Sequence, residues 1–233
     1  MIFKLKYYLK FLYQSKNEHS VHSPFVFNLV TKCFYDKSKY ESYKVLKSYR
    51  NKRTNMNDAT TAQLSLKYAK LLFRIVHYFQ PNNILELEPL LGLPTIAIAL
   101  GSKNTIITRL VGSLSTVTQA KIEPFTSANG NVIHTAFANY LKSEKVQLAR
   151  YNLIYFGGNH SKQKLLHYFE QLLPTALNNS IWIFNNIHQS TETHKAWKII
   201  KKHPKVTVTV TTFGFGLVFF RSEQQKEHFV IRI

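Results

Sequence analysis

From residue 84 onward, short apolar runs alternate with stretches of helical spacing, and this repeat constrains the fold of the 233-residue chain more than any other feature. Ile84–Leu87, Thr105–Val111, Asn131–His134, Leu153–Phe156 and Ile181–Phe184 have the length and the β-branched or aromatic content of buried strands. Between and after them, helices are predicted over Thr95–Leu100, Ser115–Glu123, Phe137–Leu141, Lys162–Leu173 and Thr191–Lys202. Parallel strands need such crossovers, so the pattern predicts an α/β domain whose mostly parallel sheet is covered on both faces.

The two ends depart from this repeat. Val206–Thr212 and Leu217–Arg221 are separated only by a short Gly-containing connection, which suits a direct antiparallel hairpin. The apolar tail 227–233 is expected to be tied into the structure. At the other end, helices are predicted over 1–14 and 24–34, with Pro24 at an early helical position after Ser23. His19 and His22 lie three apart in the turn between them. Glu18 alone stands beside them and no cysteine is near, too few ligands to complete a metal site, so capping of the next helix is the favoured role of this turn. Residues 36–58 are rich in Lys, Tyr, Ser and Asn and read as a connecting or mobile segment. From Thr60 to Phe79, Leu64, Tyr68, Leu71, Leu72, Ile75 and Phe79 mark an amphipathic helix that Pro81 and Asn82 end.

Composition narrows the class of protein. Apolar residues at 45% and aromatics at 14% exclude global disorder, and the lone Cys33 excludes an internal disulfide framework. No run reaches the roughly 18 apolar residues of a spanning helix, and MIFKLKYYLKFLYQ lacks an export cleavage site, so a cytoplasmic location is expected. Lys4, Lys6 and Lys10 interrupt the apolar positions of that first helix. It suits either packing on its own domain or lying at a membrane surface. The formal charge of +19 favours a small-molecule or other anionic partner, while no zinc-finger or RNA-binding motif accompanies the lysines to specify nucleic acid.

Four strings, His19–Pro24 with Phe25-Val26-Phe27, Ile84-Leu85-Glu86-Leu87, Gly157-Gly158-Asn159-His160 and Ile187-His188, together with the order of elements, resemble the class I S-adenosylmethionine-dependent methyltransferases. The likeness is to a bacterial methyltransferase-like branch with an N-terminal helical segment. It implies a Rossmann-like, mostly parallel seven-stranded sheet with a C-terminal antiparallel hairpin. It also implies a helical extension and linker over 1–58, a methyltransferase-like domain over 59–233, and S-adenosylmethionine as the cofactor.

Mapped onto this chain, the resemblance places the acidic residue of the first strand at Glu86, the first glycine of the following turn at Glu88 and its later glycine at Gly92. A glutamate at 88 adds bulk and charge where backbone must approach the cofactor closely, and Pro89 and Pro94 restrict the turn. The acidic residue that would bind the ribose hydroxyls falls on Val111, which cannot accept their hydrogen bonds, a loss of roughly 1 to 3 kcal/mol. The metal carboxylates of related O-methyltransferases fall on Gly157 and on Asn185 and Asn186, a poor cage for a hard divalent ion, so no metal is predicted. Asn159, His160, Asn185, Asn186 and His188 then form a polar cluster at the strand ends. His160 or His188 is a candidate general base, against the plainer role of loop caps. Three functional readings stay open: a methyltransferase of weakened or lost activity, an inactive binding or assembly protein of the same fold, and a nucleic-acid-modifying enzyme.

Overall fold

The computed structural model describes residues 2–54, 64–87, 92–102, 105–110, 130–133, 139–140, 149–158 and 160–233, with backbone alone at 2, 52–54 and 130–133. The helix expected over Ser115–Glu123, most of that over Phe137–Leu141 and the start of that from Thr60 lie outside these residues, as do Glu88, Val111 and Asn159.

The alternating runs fold as their spacing predicts. Strands β1 (Asn83–Leu87), β2 (Ile106–Leu110), β3 (Gly130–Ile133), β4 (Tyr151–Phe156) and β5 (Ala176–Asn185) pair in parallel. Strands β6 (Val208–Thr211) and β7 (Phe215–Phe219) form the antiparallel hairpin, and β7 also runs antiparallel to β5. The seven strands thus lie in the order β3-β2-β1-β4-β5-β7-β6. An eighth, β8 (Glu227–Val230), adds in parallel to the outside of β6. That edge anchors the C-terminal tail: the Lys16 N–H donates to the Val230 carbonyl at 2.8 Å, and the Tyr35 hydroxyl to the Arg232 carbonyl at 2.8 Å.

Helices cover both faces. On one side lie α2 (Pro24–Leu29), the π-helical turn Val30–Phe34, α3 (Ser42–Thr54), α4 (Leu66–Phe79) and α5 (Leu93–Gly101), packed over Ile84, Leu153, Ile183 and Leu217. On the other, α6 (Lys162–Leu172) and α7 (Thr191–Lys202) close over Ile154, Phe156, Trp182 and Phe184. Five large apolar side chains of α4, Leu71, Leu72, Phe73, Ile75 and Val76, are buried, each stabilising by about 1.5 to 3 kcal/mol on its full removal from water. Caps fix the helix starts. Ser23 accepts from the Val26 N–H, Ser161 from that of Lys164, and Ser190 and Thr193 bond each other's backbone in a reciprocal box at the head of α7.

One local expectation fails. Ser42–Thr54 is a helix rather than a connecting segment. Its overall polarity hides two anchors, Leu46 and Tyr49, which are buried in the same core as α4. Few apolar positions on a lysine-rich stretch give little periodic signal, and tertiary packing supplies the rest of the helix's stability.

The glycines of the hairpin serve close packing. A Cβ on Gly214 would stand 2.6 Å from the Tyr68 ring, and one on Gly216 would stand 2.7 Å from the Trp197 ring. Tyr68 lies on α4 and Trp197 on α7, so the hairpin is clamped by one aromatic ring from each face.

Candidate functional site

The carboxyl ends of the parallel strands gather the expected residues into two separate environments. Within β1, Glu86 is paired in register with Arg109 of β2 and Tyr155 of β4, forming one polar rung across the sheet. All three side chains are fully buried. One Glu86 oxygen accepts from the Thr95 hydroxyl at 2.7 Å and the other from Arg109 Nε at 3.1 Å. Thr95 reaches it because α5 starts directly over the end of β1. Burial pushes the Glu86 carboxyl up, while the Arg109 guanidinium and the Thr95 hydroxyl pull it back. The remaining two guanidinium nitrogens of Arg109 and the Tyr155 hydroxyl are buried without hydrogen-bond partners. Burial, with the Glu86 charge beside it, holds the Tyr155 phenol well above its usual range.

Beyond β4, the Gly157 N–H donates to the Leu87 carbonyl at 3.0 Å, which continues the β1–β4 pairing past the strand ends. Gly158 has φ of 70°, a left-handed conformation natural to glycine. His160 is buried edge-on against Tyr168 of α6, with ring centroids 5.5 Å apart. Gly92 stands at the N-terminus of α5 with an extended φ of 179°.

At the end of β5 the chain turns through Asn186, whose φ of 52° is left-handed, and asparagine tolerates that conformation better than most residues. Its N–H donates to the Gly214 carbonyl at 2.8 Å. Asn186 therefore has a backbone reason for its identity, whereas the Asn185 Oδ1 is buried without a partner.

The turn delivers His188 beside a residue that sequence reasoning missed. His188 Nδ1 lies 3.1 Å from His194 Nδ1, and both rings are buried. Burial, and then the neighbouring cations, lower both imidazoles to about 4: His194 and Lys201 act on His188, and Lys198, Lys10 and Lys201 act on His194. Both are therefore neutral near pH 7. A single proton bridges the two Nδ1 atoms, so one ring keeps a bare Nε2 and the other an Nε2–H, each buried without a partner. The capping-box start of α7 at Ser190, two residues after His188, was the available sequence signal for His194 in the first turn of that helix.

Over this pair lies α1 (Ile2–Gln14). Tyr7 stacks on His188 at 5.8 Å and packs on His194 at 4.2 Å, while Tyr8 and Phe11 meet Phe213, which itself stacks on His188. His160 packs against α6, and His188 against α1 and α7. Among the described residues, no three His, Cys, Asp or Glu side chains gather as a metal site, and no helix is long and apolar enough to cross a membrane.

No protein-family model and no curated protein matches the chain. Solved structures do. An O-methyltransferase from Bacillus cereus in complex with SAH superposes with a TM-score of 0.59 at 18% identity, covering 80% of this chain and 94% of that one. An SAH-bound methyltransferase from Podospora anserina gives 0.61 at 13%, covering 87% and 97%. An O-methyltransferase from Streptomyces achromogenes involved in tomaymycin synthesis, in complex with SAM, gives 0.57 at 14%, covering 79% and 92%. With the strand order and the reversed β7 already described, these likenesses establish that the chain has the fold of the class I S-adenosylmethionine-dependent methyltransferases.

Proposed function

We propose that the chain is a methyltransferase-like protein, with residues 59–233 as its methyltransferase-like domain and 1–58 as an extension, whose S-adenosylmethionine-dependent activity is weakened or lost. The observation that carries this reading is the closed state of Glu86. Its carboxylate is fully buried in the sheet with one oxygen already bonded to Thr95 and the other to Arg109, so a ligand cannot reach it without opening that arrangement. A cofactor would have to displace one of those partners and leave a buried charge unpaired, which is costly. Glu88 in place of a glycine and Val111 in place of the ribose acid point the same way.

The described residues therefore fit the cofactor poorly, and no methyl-transfer step is derived through it. Gly92, Gly157, Asn159, Asn185 and Asn186 are proposed as what is left of its cradle. His188 and His160 are proposed as the groups nearest to a catalytic role, with the unpartnered Nε2 of the His188–His194 pair as the available proton acceptor. With Asn185 and Asn186 in place of carboxylates, metal-assisted deprotonation of a hydroxyl acceptor has no support in this reading.

A second reading, an inactive member of the fold used for binding, is favoured by α1. Its Tyr7 and Phe11 rings seat on the strand-end surface where ligands bind in open α/β sheets. Calorimetric titration of the full chain with S-adenosylmethionine and S-adenosylhomocysteine tests both. Binding no tighter than about millimolar is expected from the loss of acceptors. Tight stoichiometric uptake of either ligand overturns the proposal.

A further inference from the structure

The helix that covers the histidine pair has a second, solvent-exposed face. Phe3, Tyr7 and Phe11, four residues apart, point α1 inward, and Phe11 is buried. On the opposite side, Leu5, Leu9 and Tyr13 form an equally regular line and are 60%, 59% and 92% exposed. At 3.6 residues per turn, Lys4 borders this apolar stripe beyond Tyr8, and Lys6 and Lys10 border its other side. The first acidic residue of the chain is Glu18, outside the helix.

The basic character continues onto α7. Lys201 is half-buried near Lys198 and Lys10, and that burial and repulsion lower its pKa. Among the described residues, none of Lys4, Lys6, Lys10, Lys198 and Lys201 stands in an ion pair with a carboxylate. Cations brought together without acids raise the free energy of the surface, and an anionic partner lowers it.

We propose that the outer face of α1 docks on an anionic phospholipid surface, with Leu5, Leu9 and Tyr13 entering the headgroup–acyl boundary and the flanking lysines resting on headgroup phosphates. The inner face stays seated on His188, His194 and Phe213, so the helix joins the folded body to the lipid. Exposed leucines in line, bordered by lysines whose stems can lie along apolar surface, match the chemistry of an interfacial helix. A second copy of the chain suits this face badly, because it would bring the same lysines against themselves. A nucleic acid would satisfy the lysines and leave the leucine stripe in water. This docking is independent of whether S-adenosylmethionine binds.

The test is flotation of the full chain with vesicles of equal parts phosphatidylglycerol and phosphatidylcholine, beside vesicles of phosphatidylcholine alone. The chain is expected to float with the anionic vesicles only, and less as salt is raised. A Leu5→Ser, Leu9→Ser double variant is expected to lose about tenfold in partitioning, with an unchanged circular dichroism spectrum because both side chains are exposed. The same variant is expected to elute at the native volume in gel filtration. Failure of the native chain to float overturns the proposal, as does equal flotation of the double variant. So does a dimer that the two substitutions dissolve, or displacement from vesicles by single-stranded RNA with equal affinity for both forms.

Discussion

Glu86 and His188 are both buried, titratable and set at the carboxyl edge of the sheet, yet they differ in what their polar atoms do. Both Glu86 oxygens are held inside the fold, one across the β1–β2 register and one from the start of α5. His188 bonds only its twin, and each ring of that pair keeps an Nε2 without a partner. A fully buried carboxylate held at both oxygens by fold partners resists recruitment by a ligand. One held in place but incompletely bonded is where chemistry or recognition can still occur.

The sharpest way to break this contrast is Glu86→Gln. It leaves the Arg109 guanidinium charged and uncompensated in the interior, and about 3 to 5 kcal/mol of stability is expected to go in chemical denaturation. A Glu86→Leu, Arg109→Met double variant removes both charges and should recover most of that loss. A double variant as unstable as the single would show that the rung is not an isolated pair.

A smaller effect is expected from acid at the histidine pair. Both imidazoles are lowered from 6.5 to about 4 in the folded chain, so the unfolded chain takes up protons first as pH falls. Their contribution to stability is complete above about pH 6.5, declines between there and about pH 4, and changes no further below. A His188→Leu, His194→Leu variant should flatten that part of the stability-against-pH curve, and an unaltered slope would remove the buried-neutral assignment. The smallest effect is Tyr155→Phe. The hydroxyl it deletes has no partner, so stability is expected to move by less than about 1 kcal/mol or to rise slightly. A loss of 2 kcal/mol or more would mean that the rung uses all three members.

Much of the fold was legible because the signals are local. Helix α7 begins and ends where Thr191–Lys202 was predicted, with its cap at Ser190, and the five parallel strands and the hairpin overlap their apolar runs. The helix Ser42–Thr54 was not legible, since its buried anchors, Leu46 and Tyr49, stand among lysines. At the site, Asn186 was read as a remnant of a metal pair, and its left-handed φ adds a backbone reason that a sequence does not display. Glu86 was placed correctly in the first strand, but its partner is 23 residues away and depends on register.

By itself, then, the sequence determined the alternation of strand and helix, the reversed C-terminal hairpin and the basic surface, because periodicity and charge are properties of neighbouring residues. Only the tertiary structure decided that Arg109 closes on Glu86, that His194 pairs with His188, and that α1 lies over them with its leucines outward. Those outcomes join residues far apart in the chain or set which face of a helix meets the body, and they are fixed by strand register and by the packing of helices onto the sheet.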